Sequence, residues 1–210
     1  KTDLNFAESK ADLFIIAVPD DVISLIAQDI ALPDNSIIVH TSGAKSLGVL
    51  GYTAAESTGV FYPLQTFTKS KKIEFRSIPI SVEASDTKTE KVLMNVAKSI
   101  TKSTHVINSD DRKALHVAAV FACNFTNHFL SLAESILHSK GLNFSILQPL
   151  ITETIHKAIT LGPGNAQTGP AKRHDFLTLD HHMEFLSANE ELAELYRLIS
   201  QNIVDQYPLE

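Results

Sequence analysis

Between Asp12 and Val106 short apolar, β-branched runs alternate with stretches of helical period, and after Val106 the alternation stops. That order restricts the chain to an α/β fold: a mostly parallel sheet with helices on both faces, followed by an all-α part. Asp12 to Val18 (DLFIIAV), closed by Pro19, Asp20 and Asp21, reads as a strand buried on both faces. Val22, Ile23, Ile26 and Ile30 then fall at helical spacing, with Asp20 or Asp21 as the candidate cap. The unit repeats. Ser36 to Val39 is a second strand, Ala44 to Ala55 reads as helical, Gly59 to Tyr62 and Ile78 to Val82 are further strands, and a helix covers Asp86 to Ser99.

The polar, acidic start at Asn108 to Asp111 opens a helix that reads through to about Lys140, where Gly141 supplies a left-handed cap. Such a helix spans roughly 45 Å. Its apolar stretch Ala118 to Ala122 requires cover from other helices or a second subunit. Ser145 to Leu161 is a further helix, LGPGNAQTGPAKRHD is a loop, and two helices start near Thr178 and Asn189. The expected domains are therefore 1–107 and 108–210.

Charge and cysteine usage exclude several classes. With 18 Lys and Arg against 24 Asp and Glu the formal charge is −6, and no basic block is present, which argues against a nucleic-acid surface. The single cysteine, Cys123, can form no internal disulfide and no CxxC occurs, so a reducing, cytoplasmic setting is expected. Apolar runs such as LFIIAV are far shorter than the roughly 20 residues of a membrane helix, so no membrane partner is expected. Gly164 to Ala171 copies the glycine spacing of a P-loop but places Pro170 and Ala171 where Lys and Ser/Thr are required.

In an open α/β sheet, ligands bind beyond the carboxyl ends of the strands. Those ends carry Val18-Pro19-Asp20, then His40-Thr41-Ser42-Gly43, then Tyr62-Pro63-Leu64-Gln65. No GxGxxG is present to cradle a pyrophosphate. On the long helix His116 and Cys123 nearly coincide in direction, and Asn124 is turned about 80° from His116. They can line one stripe, with His116 as acid or base and Asn124 as a carbonyl anchor, or serve as core polar groups. Arg173 suits an anion clamp, and Asp175 or Thr178 starts the next helix. His174, Asp175, Asp180, His181 and His182 suggest a metal, but the spacing lacks an HExxH-type pair, so no metal is assigned. Ser42 lacks the GxSxG elbow of a hydrolase nucleophile.

The order AVPDD, HTSGA, YPLQTF, DDRKALHVAAVFACNF and QTGPAKRHD, with His182 downstream, resembles the Rossmann-like proteins with a C-terminal helical domain of unknown function. These are described as NADP-dependent oxidoreductases, distantly related to pyrroline carboxylate reductase, 6-phosphogluconate dehydrogenase and ketopantoate reductase. The resemblance implies a dinucleotide-binding domain (1–107) and a helical substrate and dimerisation domain (108–210). It implies a glycine turn ahead of Lys1, and ribose-reading residues at or before Lys1 to Asn5, leaving NADP and NAD both open. It places Val18, Pro19 and Asp20 beside the cofactor and His40, Ser42 and Gly43 near the nicotinamide. His116, Asn124, Thr168, Gly169, Pro170, Arg173, Asp175 and His182 would line the substrate cleft. Tyr62 stands where the family often has histidine and His174 where it often has glycine, so no catalytic role is carried to either. Val120 replaces the lysine that precedes Asn124 by four positions in the β-hydroxyacid dehydrogenases. The expected activity is hydride transfer to or from a small, anionic carbonyl or imine compound, with a homodimer as the assembly. The alternatives are a non-catalytic nucleotide sensor and a metal hydrolase.

Overall fold

The computed structural model describes residues 3–68, 70 and 72–209, so that Lys1 and Thr2 of the ribose-reading segment lie outside the described residues. The chain forms two compact units, Lys1–Leu132 and Ala133–Glu210.

In the first unit five strands lie in sequence order: β1 (Leu13–Ile16), β2 (Ile37–His40), β3 (Ser57–Pro63), β4 (Ile80–Ala84) and β5 (Thr104–Val106). β1 pairs with β2, β2 with β3 and β4 with β5 in parallel, whereas β3 and β4 are antiparallel. Alternation along β2 builds a core on each face of the sheet. Val39 joins Phe61, Ile80, Val82, Leu93 and Ala97 on one side, under α2 (Thr87–Ile100). Ile38 joins Ile16, Ile23, Ala27 and Leu50 on the other, under α1 (Ile23–Asp29). Asp86 caps α2 by accepting the amides of Lys88 and Thr89 and the Thr89 hydroxyl at 2.6 Å, bonds that hold its carboxyl below the usual range.

Three sequence expectations are corrected. β1 is not buried on both faces: it ends the strand order among the described residues, and Ile15 is 49% exposed. Neither Asp20 nor Asp21 caps α1, because Val22 is its N-cap and makes no side-chain bond, while the Val22 amide closes a turn on the Pro19 carbonyl at 3.0 Å. Between Ala44 and Ala55 a single 3-10 turn, Leu47–Leu50, replaces the expected helix. Gly48 and Gly51 make a longer helix unfavourable there.

The long helix is present but interrupted. α3 (Ser109–Ala119), capped by Asn108, passes into a π-helix over Val120–Phe125 and then into α4 (Thr126–His138). Gly141, at φ +69°, ends it by bonding the His138 carbonyl. The Ala118–Ala122 stretch is not buried: Phe121 is 65% exposed and Ala118 and Ala122 are exposed, while Ala119 and Val120 are half-buried.

In the second unit follow α5 (Gln148–Leu161), the short α6 (Pro163–Ala166), α7 (Phe176–Leu186) and α8 (Glu190–Gln206). Among the described residues no helix is long and apolar enough to cross a membrane.

Candidate functional site

The carboxyl ends of β1 and β2 lie side by side, Ile16 opposite His40, so the segments after them are neighbours. The turn after β2 is fixed from within. His40 is fully buried; its Nδ1 accepts the Ser42 amide at 3.1 Å and its Nε2–H donates to the Ser46 carbonyl at 3.2 Å. Burial, with a smaller contribution from the Arg112 charge, pushes this imidazole down to about 4, so it is neutral and its tautomer is set by the two bonds. Ser42 Oγ accepts the amides of Ala44 and Lys45 at 3.1 and 3.0 Å. The buried Gly43 amide makes no hydrogen bond among the described residues. His40 and Ser42 thus shape the turn, and Gly43 is the backbone they present.

Against Gly43 sits a pair of side chains. Tyr62, at the end of β3, places its hydroxyl 3.2 Å from Nδ1 of His116 on α3. A Cβ built on Gly43 would lie 2.7 Å from that nitrogen and 2.7 Å from Tyr62 Cζ, so only glycine lets the pair close over the turn. Burial raises the Tyr62 phenol above its ordinary range, Asp20 adding to the effect and Arg112 opposing it, which keeps the hydroxyl protonated. His116 Nε2 has no partner among the described residues.

What brings α3 to the turn is Arg112, one helical turn before His116 and 1% exposed. Its guanidinium pairs with Glu83 on β4 and donates to the Lys45 carbonyl at 2.5 Å. Ser109 completes the knot, donating to Glu83 at 2.9 Å and accepting the Leu47 amide at 3.1 Å. Arg112 Nε is buried without a partner. The sequence analysis gives Arg112 no role; its readable signal is a cation four positions before His116 on the same face.

An open cavity of about 690 Å³ adjoins the pair, lined by Tyr62, Gln65, Phe67, Leu115, His116, Cys123 and Asn124 among others. The π-helix explains how Asn124 reaches it. A π turn absorbs one extra residue, which rotates everything beyond it by about 100°. Asn124 lies within this segment, so the wider turn brings it back toward the His116 direction, and both line the cavity.

The remaining sequence candidates stand as follows. Val18 is half-buried and Pro19 and Asp20 exposed beyond β1. Thr168, Gly169, Pro170, Arg173, Asp175 and His182 belong to the second unit. There Gly169, at φ +104°, starts a turn in which the Arg173 and Asp175 amides bond the Pro170 carbonyl at 3.1 and 3.0 Å. Asp175 caps α7, accepting the Thr178 amide and hydroxyl, which lower its carboxyl, with the Arg173 and His181 charges adding less. Thr168 and Arg173 are exposed, and the Arg173 guanidinium makes no hydrogen bond among the described residues. His182 Nδ1 meets the Tyr196 hydroxyl at 2.7 Å. His174 holds φ +54°, the left-handed conformation that glycine adopts freely, and its Nε2–H anchors it to the Tyr207 carbonyl at 2.7 Å. Among the described residues no three His, Cys, Asp or Glu side chains converge as a metal site.

A doubly covered, mainly parallel sheet with polar turns at its carboxyl ends defines a Rossmann-like α/β protein, here followed by helices. The chain belongs to the family described as Domain of unknown function (DUF2520), which matches residues 78–203. It is similar to a Bacteroides fragilis protein assigned as an NADP oxidoreductase: 37% identity, TM-score 0.88, 98% of this chain and 80% of that one. A Thermotoga maritima protein shares 22% identity at TM-score 0.71, over 92% of this chain and 77% of its own. A 1-pyrroline-5-carboxylate reductase from Streptococcus pyogenes shares the fold at 13% identity and TM-score 0.54, over 94% and 76%. Among curated proteins none matches the sequence.

Proposed function

We propose that this chain is an NAD(P)H-dependent oxidoreductase acting on a small carbonyl or imine compound, with His116 as the proton-exchanging residue. The carrying observation is the Tyr62–His116 pair closed over Gly43 beside the cavity. The turn fits the nicotinamide end of the cofactor: the unpaired Gly43 amide suits a carboxamide oxygen, and Val18 and Pro19 supply an apolar edge at the neighbouring strand end. Val18, Pro19, Asp20, Ser42 and Gly43 would hold it, with buried His40 shaping the turn; when bound, the reduced nicotinamide supplies the hydride. The Bacteroides relative favours NADP, with NAD as the alternative.

The chain's own residues then account for the proton. Protonated His116 donates Nδ1–H to the Tyr62 oxygen and presents Nε2–H to the carbonyl oxygen or imine nitrogen. As the reacting carbon gains the hydride, the Nε2 proton passes to that heteroatom, giving an alcohol or amine and leaving the imidazole neutral with its proton on Nδ1. The raised Tyr62 phenol stays neutral throughout and accepts the same bond before and after. Asn124 orients the reacting group; within the second unit the unengaged Arg173 fork is an anion-binding group, and Thr168, Gly169, Pro170, Asp175 and His182 are the further candidates there. In this reading residues 1–107 bind the cofactor and residues 108–210 supply substrate contacts and dimerise through exposed apolar helix faces such as that of Phe121, in the cytoplasm.

Calorimetric titration of the protein with NADPH and NADH, followed by a carbonyl and imine panel monitored at the nicotinamide absorbance, tests the reading. Micromolar binding with turnover is expected, and His116→Ala lowers turnover by about 10² or more. Binding without turnover on any compound, or full activity in His116→Ala, overturns it.

A further inference from the structure

We propose that the reacting carbon of the substrate carries an uncharged, apolar substituent, and that this substituent occupies the cavity beside the Tyr62–His116 pair. The inference rests on the oxidoreductase reading for what reacts, and on the cavity alone for what binds. Leu64, Phe67, Leu115 and Val120 form its walls, and among the described residues no charged side chain other than the titratable members of the pair and Cys123 lines it. Apart from the His116 Nε2–H, which the reacting heteroatom takes, the walls offer a carboxylate no cation to offset the hydration it gives up against them. The other polar groups offered are two side-chain amides and the Thr66 hydroxyl, which donates to Gln65 Oε1 at 3.3 Å. Gln65 Oε1 is already taken by the Thr66 amide at 2.8 Å, which leaves the Gln65 amino group, and Asn124 makes no hydrogen bond among the described residues. Such groups recognise a neutral acceptor at the edge of an apolar body.

Cys123 makes the cavity readable without turnover. It is the single cysteine of the chain, exposed, and part of the lining. Its alkylation by N-ethylmaleimide, followed by intact-protein mass spectrometry on the full chain, reports occupancy. Two methyl ketones of matched length serve as probes: 4-phenyl-2-butanone, with an apolar body, and 4-oxopentanoate, with a carboxylate in its place. The phenyl ketone should slow alkylation at least tenfold at saturation, with the carboxylate leaving the rate unchanged within twofold. Phe67→Arg, at a wall position 53% exposed and therefore tolerant of substitution, should move protection toward the carboxylate by about tenfold. Equal or stronger protection by 4-oxopentanoate in the unmodified protein, protection by neither probe, or no change of preference in Phe67→Arg overturns the inference. Protection by the phenyl ketone without NADPH oxidation on any panel compound leaves the cavity assignment standing and removes the oxidoreductase reading. Turnover of compounds that never protect Cys123 does the reverse.

Discussion

The two units of the chain bury their apolar side chains to very different extents. In Lys1–Leu132, Ile38, Val39, Leu50, Val60, Ile80, Val82 and Leu93 are all fully buried, on both faces of one sheet. In Ala133–Glu210 the buried apolar residues are Ala171, Leu186 and Ala193, while Ile159 and Leu177 are 78% and 68% exposed. A sheet with helices on both sides supplies its own cover, whereas a few helices of this length expose one face each. The first unit thus has the means to be stable by itself. The second carries exposed apolar surface that the proposed homodimer would bury.

Ile38→Ala should test that contrast most severely, because it removes a side chain at zero exposure from the first unit. A loss of about 2–5 kcal/mol in denaturant unfolding is expected; a loss below 1 kcal/mol would show that this core is not what holds the unit. The buried neutral His40 gives the first unit an acid limit of its own. Its pKa is depressed from 6.5 to about 4, so the unfolded chain binds the proton more strongly. Stability is full above about pH 6.5 and falls as pH drops toward 4, by about 3 kcal/mol in total. His40→Asn should flatten unfolding free energy across that window, and an unchanged slope would place the sensitivity elsewhere. Smallest in stability is the paired change Ile155→Asp and Ile159→Asp, one turn apart on α5 and both exposed. In a single chain it should alter unfolding by about 0.5 kcal/mol or less. If a second copy covers α5, light scattering should report half the mass and Tm should lose its dependence on protein concentration.

The alternation of strand and helix was legible because it is written in local periodicity, and so were the helix starts near Asp86, Asn108, Asp175 and Asn189 and the stop at Gly141. The antiparallel pairing of β3 and β4 was not, since an apolar run carries no arrow and a connection of this length fits either direction. β5 escaped notice because three residues, Thr-His-Val, are too few to show a period. The π-helix escaped because nothing in VFACNF marks a widened turn, and with it went the alignment of Asn124 with His116. Gly43 and His116 could be marked as candidates from chain order alone, but their meeting through Tyr62 is a contact between residues 54 positions apart. Tyr62 itself was set aside for departing from a family habit, and its contact could be found only in three dimensions.

The fastening at Ser109 has a kinetic consequence. The Leu47 amide ends on the Ser109 hydroxyl, which also donates to Glu83, and Arg112 ties the same carboxylate to the Lys45 carbonyl. The loop after β2 and the first turn of α3 therefore cannot breathe independently. In hydrogen–deuterium exchange the Leu47 amide should open at the rate of the α3 start rather than that of the exposed residues beside it, and the two segments should exchange as a single cooperative patch.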